Sequence, residues 1–265
     1  MAQKINPLAF RGLKNYENSF YQQHIYKDYS YPYVLEEQRK VKFFIERFFK
    51  NTNLILHSFK FVKTPQGIAQ LSLRYVHVPS RNYEDFMETG QYSTFEKAFL
   101  FGFSKIIRNS PVTISFLNLD KGKNFSSIPA SIKGSSLNPT EIASYLHVLT
   151  SVKGSSFFLA NILSSKLQKM RSRSERKAQA RFLIFVTNLL LHVYEHNSIG
   201  IKGIKVGIKG RINGVPRSKT WETGQGKMSL QRIDADIDYS YLPSDTVYGT
   251  FGIKVWINYE SSLEC

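Results

Sequence analysis

Cysteine is almost missing from this chain: there is one, Cys265, the last of 265 residues. A single thiol cannot close an intrachain disulfide, and a four-cysteine zinc site is excluded. Acidic residues are scarce beside basic ones, 20 Asp and Glu against 36 Lys and Arg, which leaves a net charge of +16. Long apolar runs are missing too. Phe182 to Val186 soon meets Thr187, Asn188 and His192, far short of the ~18 residues of a membrane-spanning helix. A soluble protein with no membrane partner is the expectation. The opening MAQKINPLAF holds neither the apolar core of a secretory signal nor an Arg- and Ser-rich amphipathic leader. Either the chain stays where it is made or a leader has been removed.

What is present speaks of a core and a partner. Apolar residues make up 42% of the chain, enough for real cores, and the length allows one large domain or two ordinary ones. The cationic excess points to nucleic acid first and an anionic membrane surface second. The cations occur in every region rather than beside one amphipathic helix, which favours nucleic acid. The 20 Phe and 15 Tyr, with plentiful Ile, Asn and Lys, fit the A+T-rich coding of many organelle genomes.

Along the chain, residues 1–33 read as a basic, aromatic arm broken by Pro7, Gly12 and Pro32. Residues 34–51 form a helix with Val41, Phe44, Ile45 and Phe48 at helical spacing. Residues 54–63 and 68–78 read as two strands around a turn at 64–67, with Leu71, Leu73, Tyr75 and His77 pointing one way. A helix capped by Ser93 or Thr94 runs to Arg108, with Phe95, Ala98, Phe99, Gly102 and Ile106 inside. Residues 111–119 are a further strand. Residues 120–136, rich in Gly, Ser, Lys and Asn, read as a linker or surface excursion. Pro139 opens a helix to Ser151. Residues 155–197 hold one long helix or two abutting ones, with Leu183, Ile184, Thr187, Leu190, Leu191 and Tyr194 as an apolar stripe. Apolar strands at 204–208 and 253–257 then bracket a hairpin carrying Lys209, Arg211, Arg217, Lys219, Lys227 and Arg232.

Four constellations bear on chemistry. In SSKLQKMRSRSERKAQAR, Lys166, Lys169, Arg173, Arg176 and Lys177 fall at helical spacings with Arg171 and Arg181 beside them, and only Glu175 offsets the seven cations. Like charges on one helix face repel unless an anion lies along them, so polyanion binding is favoured over a merely solvated face. His192-Val193-Tyr194-Glu195-His196 spells H-x-x-E-H, a zinc-peptidase order, but it lies towards the polar side of its helix and shows no third ligand. Gly200 to Gly203 and Gly207 to Gly210 spell G-x-x-G, yet neither joins two helices as an RNA-clamping loop does. A helix cap and a strand end are the better readings. Asp234, Asp236 and Asp238 alternate along IDADID, which would face them to one side. A solvated or Lys/Arg-paired row is preferred there over a cation site.

The residues GIKVGIKGRINGVPRSKTWETGQGKMSLQRIDADIDY and TVYGTFGIKVWI resemble the C-terminal domain of the universal small-subunit ribosomal protein three family. That family reads GIKV-x-x-x-GR-x-x-G, a basic spacer, IDY and YG-x-x-G-x-KVWI. The opening Met1-Ala2-Gln3-Lys4-Ile5-Asn6-Pro7 is similar to the family's M-G-Q-K-x-N-P, and Phe10-Arg11-Gly12 and Asn18-Ser19-Phe20-Tyr21 resemble its next elements. The resemblance implies an α+β protein. It would have an N-terminal type II KH-like domain lacking a clear G-x-x-G loop (only Gly90 lies between Arg81 and Tyr92). A C-terminal α+β domain with a basic helix and a mixed sheet would follow. The domains expected are an arm at 1–33, the KH-like domain at 34–119, a linker or insertion at 120–157 and the C-terminal domain at 158–265.

The same resemblance implies a function. Lys166, Lys169, Arg171, Arg173, Arg176, Lys177 and Arg181 would line the channel by which mRNA enters the small subunit. Lys4, Arg11 and Lys14 of the arm would contact rRNA in the subunit head, with Lys209, Arg211, Arg217, Lys219, Lys227 and Arg232 of the hairpin. The partners implied are rRNA, mRNA and neighbouring head proteins of families ten and fourteen. No cofactor, no metal, no small-molecule substrate and no classical enzyme activity are expected. The compartment expected is the mitochondrion, with the plastid as alternative. The competing readings are a free-standing RNA-binding or maturation factor of the same fold and, more remotely, a zinc hydrolase at H-x-x-E-H.

Overall fold

The computed structural model describes residues 6–11, 31–50, 52, 54–63, 68–77, 91–107, 111–119, 139–170, 176–246 and 249–260. In chain order its elements are α1 (Pro7–Phe10), α2 (Tyr31–Lys50), β1 (Leu54–Lys63), β2 (Ala69–His77), α3 (Gln91–Ile106) and β3 (Val112–Asn118). There follow α4 (Pro139–Ser151), α5 (Ser156–Lys169), α6 (Arg176–Glu195), β4 (Ile201–Gly210), β5 (Lys219–Gly226), β6 (Asp236–Thr246) and β7 (Gly249–Tyr259). They divide into two compact units, Tyr16–Lys121 and Met1–Asn15 with Gly122–Cys265.

In the unit Tyr16–Lys121, β2 alternates with a period of two. Ala69, Leu71, Leu73 and Tyr75 are buried while Gln70, Ser72 and Arg74 are exposed, as a sheet with one covered face requires. It pairs antiparallel with β1 and parallel with β3, so this three-stranded sheet, β1-β2-β3, is mixed. Helix α2 covers it through Val41, Ile45 and Phe49, all buried and spaced by four. Helix α3 inserts Phe99 and Phe103, both wholly buried. Its inner stripe is therefore rotated from the expected one: Ala98 is exposed and Ile106 only half-buried. The larger phenyl rings win the core because they remove more apolar area from water. Phe99 and Phe103 stack on each other at 15° with centroids 5.9 Å apart, while Phe48 meets Phe99 edge-on, with centroids 5.1 Å apart at 83°. The expected turn at 64–67 and the segment 81–90, where a G-x-x-G loop would fall, lie outside the described residues.

In the C-terminal unit the sheet order is β5-β4-β7-β6, and every pairing is antiparallel. This corrects the expectation of a mixed sheet here. The sequential pairs β4–β5 and β6–β7 need no crossover helix, and a parallel pair would. Ile204, Val206, Ile208, Ile253, Val255 and Ile257 are buried on one face, where α5 packs on β6 and β7 and α6 packs on β4 and β5. Helix α4 contributes Ile142, Tyr145, Leu146, Val148 and Leu149 to the core and contacts α6. The stretch 120–157 thus contains a core helix as well as connection, while 120–138 lies outside the described residues.

The stripe on α6 also differs from its expected register. Phe182, Phe185, Val186, Leu189, Leu190 and Val193 are buried, whereas Ile184 is 62% exposed and Leu191 and Tyr194 are exposed too. The run is apolar nearly all round, so two neighbouring stripes fit the 3.6-residue period. The rings of Phe182 and Phe185 decide between them.

Candidate nucleic-acid interface

The hairpin is built on β4 and β5. Their register runs from Gly203↔Gly226 to Gly210↔Lys219, with Lys209 opposite Thr220. A 3₁₀ turn at Ile212–Gly214 reverses the chain, with Gly214 at φ +69° in the left-handed region that glycine tolerates. Arg211 pins that turn by donating from Nε to the Val215 carbonyl at 3.0 Å. Lys209, Arg211, Arg217 and Lys219 are all exposed at this end of the ribbon.

Lys227 and Arg232 are exposed at the other end. Seven residue steps of ~3.4 Å separate the two ends, so the six cations form two clusters roughly 24 Å apart. Lys227 follows a tight crossing: its N–H donates to the Lys202 carbonyl at 2.8 Å, and its carbonyl accepts from Asn258 Nδ2 at 3.0 Å. A β-carbon on Gly203 would collide with the Lys227 backbone.

The arm contributes differently from expectation. Lys4 and Lys14 lie outside the described residues. Arg11 is 2% exposed, and its guanidinium donates to the carbonyls of Pro7, Leu230 and Arg232 at 3.2, 2.8 and 2.6 Å. These carbonyls occupy the fork that a phosphate would need. Arg11 is therefore a tie between α1 and the 229–232 loop.

The basic helix is not one continuous helix, which corrects the expected shared face. Helix α5 stops at Lys169, with Met170 as its C-cap donating to the Leu167 carbonyl, and α6 starts at Arg176. The expected shared face across 166–177 requires unbroken helix. Lys166 donates to Glu141 Oε2 at 2.9 Å, with side-chain exposures of 16% and 11%, and so joins α5 to α4. Lys169 and Arg181 are exposed. Arg176 and Lys177 begin α6, and Arg171 and Arg173 lie outside the described residues.

Two residues absent from the expected set share the sheet face opposite the helices. Lys254 is exposed and sits opposite Tyr241, itself 53% exposed. Across β7's other side Lys254 faces Gly207, and Lys209 faces Gly252, so the two lysines share this face. The signal is in the alternation of Ile253-Lys254-Val255, which puts Lys254 on the uncovered side. Lys205, also on this face, is engaged with Glu222 at 2.5 Å and lies 5.6 Å from the Trp256 ring centre.

The remaining motifs resolve into structure. Asp234 precedes β6, so only Asp236 and Asp238 alternate within it. Asp238 accepts from the Ser156 N–H at 2.9 Å and so serves the first turn of α5. Burial raises its carboxyl above the ordinary range, opposed by the Ser156 hydrogen bonds. The rings of His192 and His196 lie 4.4 Å apart, and burial first, then His196, lowers His192. Among the described residues, no group of three or more His, Cys, Asp or Glu could hold a metal ion. Gly200 ends the α6–β4 connection at φ +77°, its N–H donating to Asn197 Oδ1 at 3.0 Å, as a cap does. Gly207 and Gly210 lie in β4.

Comparison with known proteins falls on this same sheet. A family model described as ribosomal protein S3, C-terminal domain, matches residues 190–257. Small ribosomal subunit protein uS3 of Trichormus variabilis is 52% identical over 58 residues, 22% of this chain and 22% of that protein. Small ribosomal subunit protein uS3c of Chlorella vulgaris is 47% identical over 58 residues, 22% of this chain and 25% of its own. These matches thus span about a quarter of the relatives' length or less. Small ribosomal subunit protein uS3c of Physcomitrium patens is 27% identical over 258 residues, covering 97% of this chain and 98% of that protein. Residues 190–257 are thus similar to the C-terminal domain of ribosomal protein S3, and nearly the whole chain is similar to the uS3c protein of Physcomitrium patens.

Proposed function

We propose that this protein is a structural, non-enzymatic constituent of a small ribosomal subunit that binds rRNA through the C-terminal sheet. The observation that carries this reading is the exposed cation cluster Lys209, Arg211, Arg217 and Lys219, held on a rigid ribbon within the segment that matches the family. Such cations grip phosphate without reading bases. Lys254 and Tyr241 extend the same face. In sequence, Lys169, Arg171, Arg173, Arg176, Lys177 and Arg181 run from the end of α5 into α6, and we assign them to mRNA on its way into the subunit. A channel for every message needs this sequence-blind contact. Neighbouring head proteins, families ten and fourteen by resemblance, complete the surroundings.

The chloroplast-type names of the relatives from Chlorella, Physcomitrium and Cyanophora support the plastid over the mitochondrion. Sedimentation of organelle lysates tests the assignment: the protein should travel with the small-subunit fraction of plastids, and its absence from every small-subunit fraction overturns it. RNA binding by the purified protein tests the interface. Replacing Lys209, Arg211, Arg217 and Lys219 with Ala should flatten the dependence of log K on log salt by about 0.7–0.9 for each phosphate no longer neutralised. Replacing Arg173, Arg176 and Lys177 should slow translation through mRNA hairpins more than through unstructured messages. Equal slowing counts against the mRNA role.

A further inference from the structure

The unit Tyr16–Lys121 carries an apolar groove rimmed by cations on the outer side of its helices. On α2, Lys40, Phe43 and Arg47 recur at i, i+3 and i+7, which brings them to one face. On α3, Phe101 and Lys105 do so at i and i+4. Between the two helices lies an open cavity of about 850 Å³, floored by Phe44, Phe48 and Ile106, and among the described residues no Asp or Glu lines it. Phe43, in the lining, is 62% exposed, and Phe101, beside the rim residue Lys105, is 65% exposed. Apolar surface gathered in one patch and rimmed by charge marks a binding face.

The groove is shaped by a helix-interior glycine. A β-carbon on Gly102 would come within 2.7 Å of the Phe44 ring, so glycine at this position lets that ring lie against α3. Glycine costs roughly 1 kcal/mol in a helix interior, and here it sets the depth of the floor.

The rim and the rings indicate the occupant. Lys105 Nζ lies 4.2 Å from the centre of the Phe101 ring, and the Arg47 guanidinium 6.0 Å from that of Phe43. Each exposed ring therefore already has a cation over one face, which a stacking nucleobase would have to displace. An acidic polypeptide needs no such displacement. Its carboxylates meet the cations from the side while its apolar residues enter the floor, in the manner of an amphipathic helix in a groove. Lys40 pairs with Glu36 at 2.7 Å, but both are more than half exposed, and such a pair exchanges at little cost. We propose that the α2–α3 groove docks an acidic, amphipathic segment of another polypeptide, its apolar side chains on Phe44, Phe48 and Ile106 and its Asp or Glu side chains on Arg47, Lys105 and Lys40.

Photo-crosslinking in the full-length protein tests this. With p-benzoyl-phenylalanine in place of Phe101, the cross-linked product recovered from native particles should be a peptide rich in Asp or Glu with apolar residues at helical spacing. Arg47→Glu together with Lys105→Glu should cut the yield about tenfold, as for loss of desolvated charge pairs, while Lys105→Arg should retain it. Gly102→Ala should weaken it as well, with helix content by circular dichroism unchanged. A cross-link to RNA, to a second copy of this chain or to nothing overturns the proposal, as does a yield indifferent to charge reversal. Sedimentation of the charge-reversed protein keeps the outcomes apart. If wild type fails to travel with the small subunit, the ribosomal assignment fails while the cross-link still reports on the groove.

Discussion

Lys166 Nζ donates to Glu141 Oε2 across 2.9 Å, joining α5 to α4 in a place where both side chains are largely shielded from solvent. Removing one partner leaves a shielded charge alone. Lys166→Met should therefore destabilise the protein by about 3 kcal/mol, and Lys166→Met with Glu141→Gln should recover most of that loss. Denaturant midpoints measure both. A Lys166→Met protein of normal stability and weakened RNA binding would restore the lysine to the nucleic-acid surface.

Arg11 makes the matching prediction for the N-terminal turn. Its guanidinium holds the carbonyls of Leu230 and Arg232, so Arg11→Ala should cost about 2–4 kcal/mol, the loss of several charge-assisted hydrogen bonds. The salt dependence of RNA binding should not move. Comparing the salt slopes of Arg11→Ala and Arg217→Ala separates a tie from a phosphate contact.

How much of the fold is legible in the sequence follows from how local each signal is. β1 is bounded at Leu54 and Lys63 and α4 at Pro139 and Ser151, because alternation, turn residues and an opening proline act within a few positions. The α6 stripe escapes such a reading because Ile184 and Leu191 are as apolar as Phe182 and Leu189, and only packing chooses between them. The break after Lys169 has neither proline nor glycine to announce it, so charges on two helices look like one face. Arg11 is unreadable for a different reason: its partners lie about 220 residues downstream. The paired Lys166 is hidden likewise, since Glu141 is on another helix.

His57 lies in β1 with no exposed surface. Burial, and then Arg74, pull its imidazole from 6.5 down to about 4. The folded protein keeps it neutral while the unfolded chain takes up a proton once the pH falls below 6.5. Stability should therefore be unaffected by this group above pH 6.5 and decline between 6.5 and about 4, by roughly 3 kcal/mol in all. Unfolding titrations across that range should show a flatter decline for His57→Gln than for wild type. Parallel curves would remove His57 as the source.

Gly210 and Gly154 separate crowding from backbone strain. A β-carbon on Gly210 would strike the buried ring of Phe251, whereas one on Gly154, at φ +78°, meets nothing within 4 Å. Gly210→Ala should cost about 1–3 kcal/mol by overpacking, and Gly154→Ala about 1 kcal/mol from its left-handed backbone alone. A smaller second substitution, Phe251→Leu, should offset part of the first loss and none of the second. Thermal melts of the four proteins measure this.

The position of β7 in its sheet carries a consequence for synthesis. It follows β4, β5 and β6 in the chain, yet it lies between β4 and β6 and pairs with both. While the protein is being translated, β4 and β6 emerge without the neighbour that joins them, and Ile204 and Val206 keep one flank open. The N-terminal turn waits as well, since Arg11 closes on carbonyls near residue 230. The unit Tyr16–Lys121 has all its strands early and can fold as it emerges, in keeping with domain-wise folding. The C-terminal unit can close only once residues 249–259 have cleared the ribosome that makes them. Until then its two halves are exposed sheet edges, open to mispairing with other nascent chains.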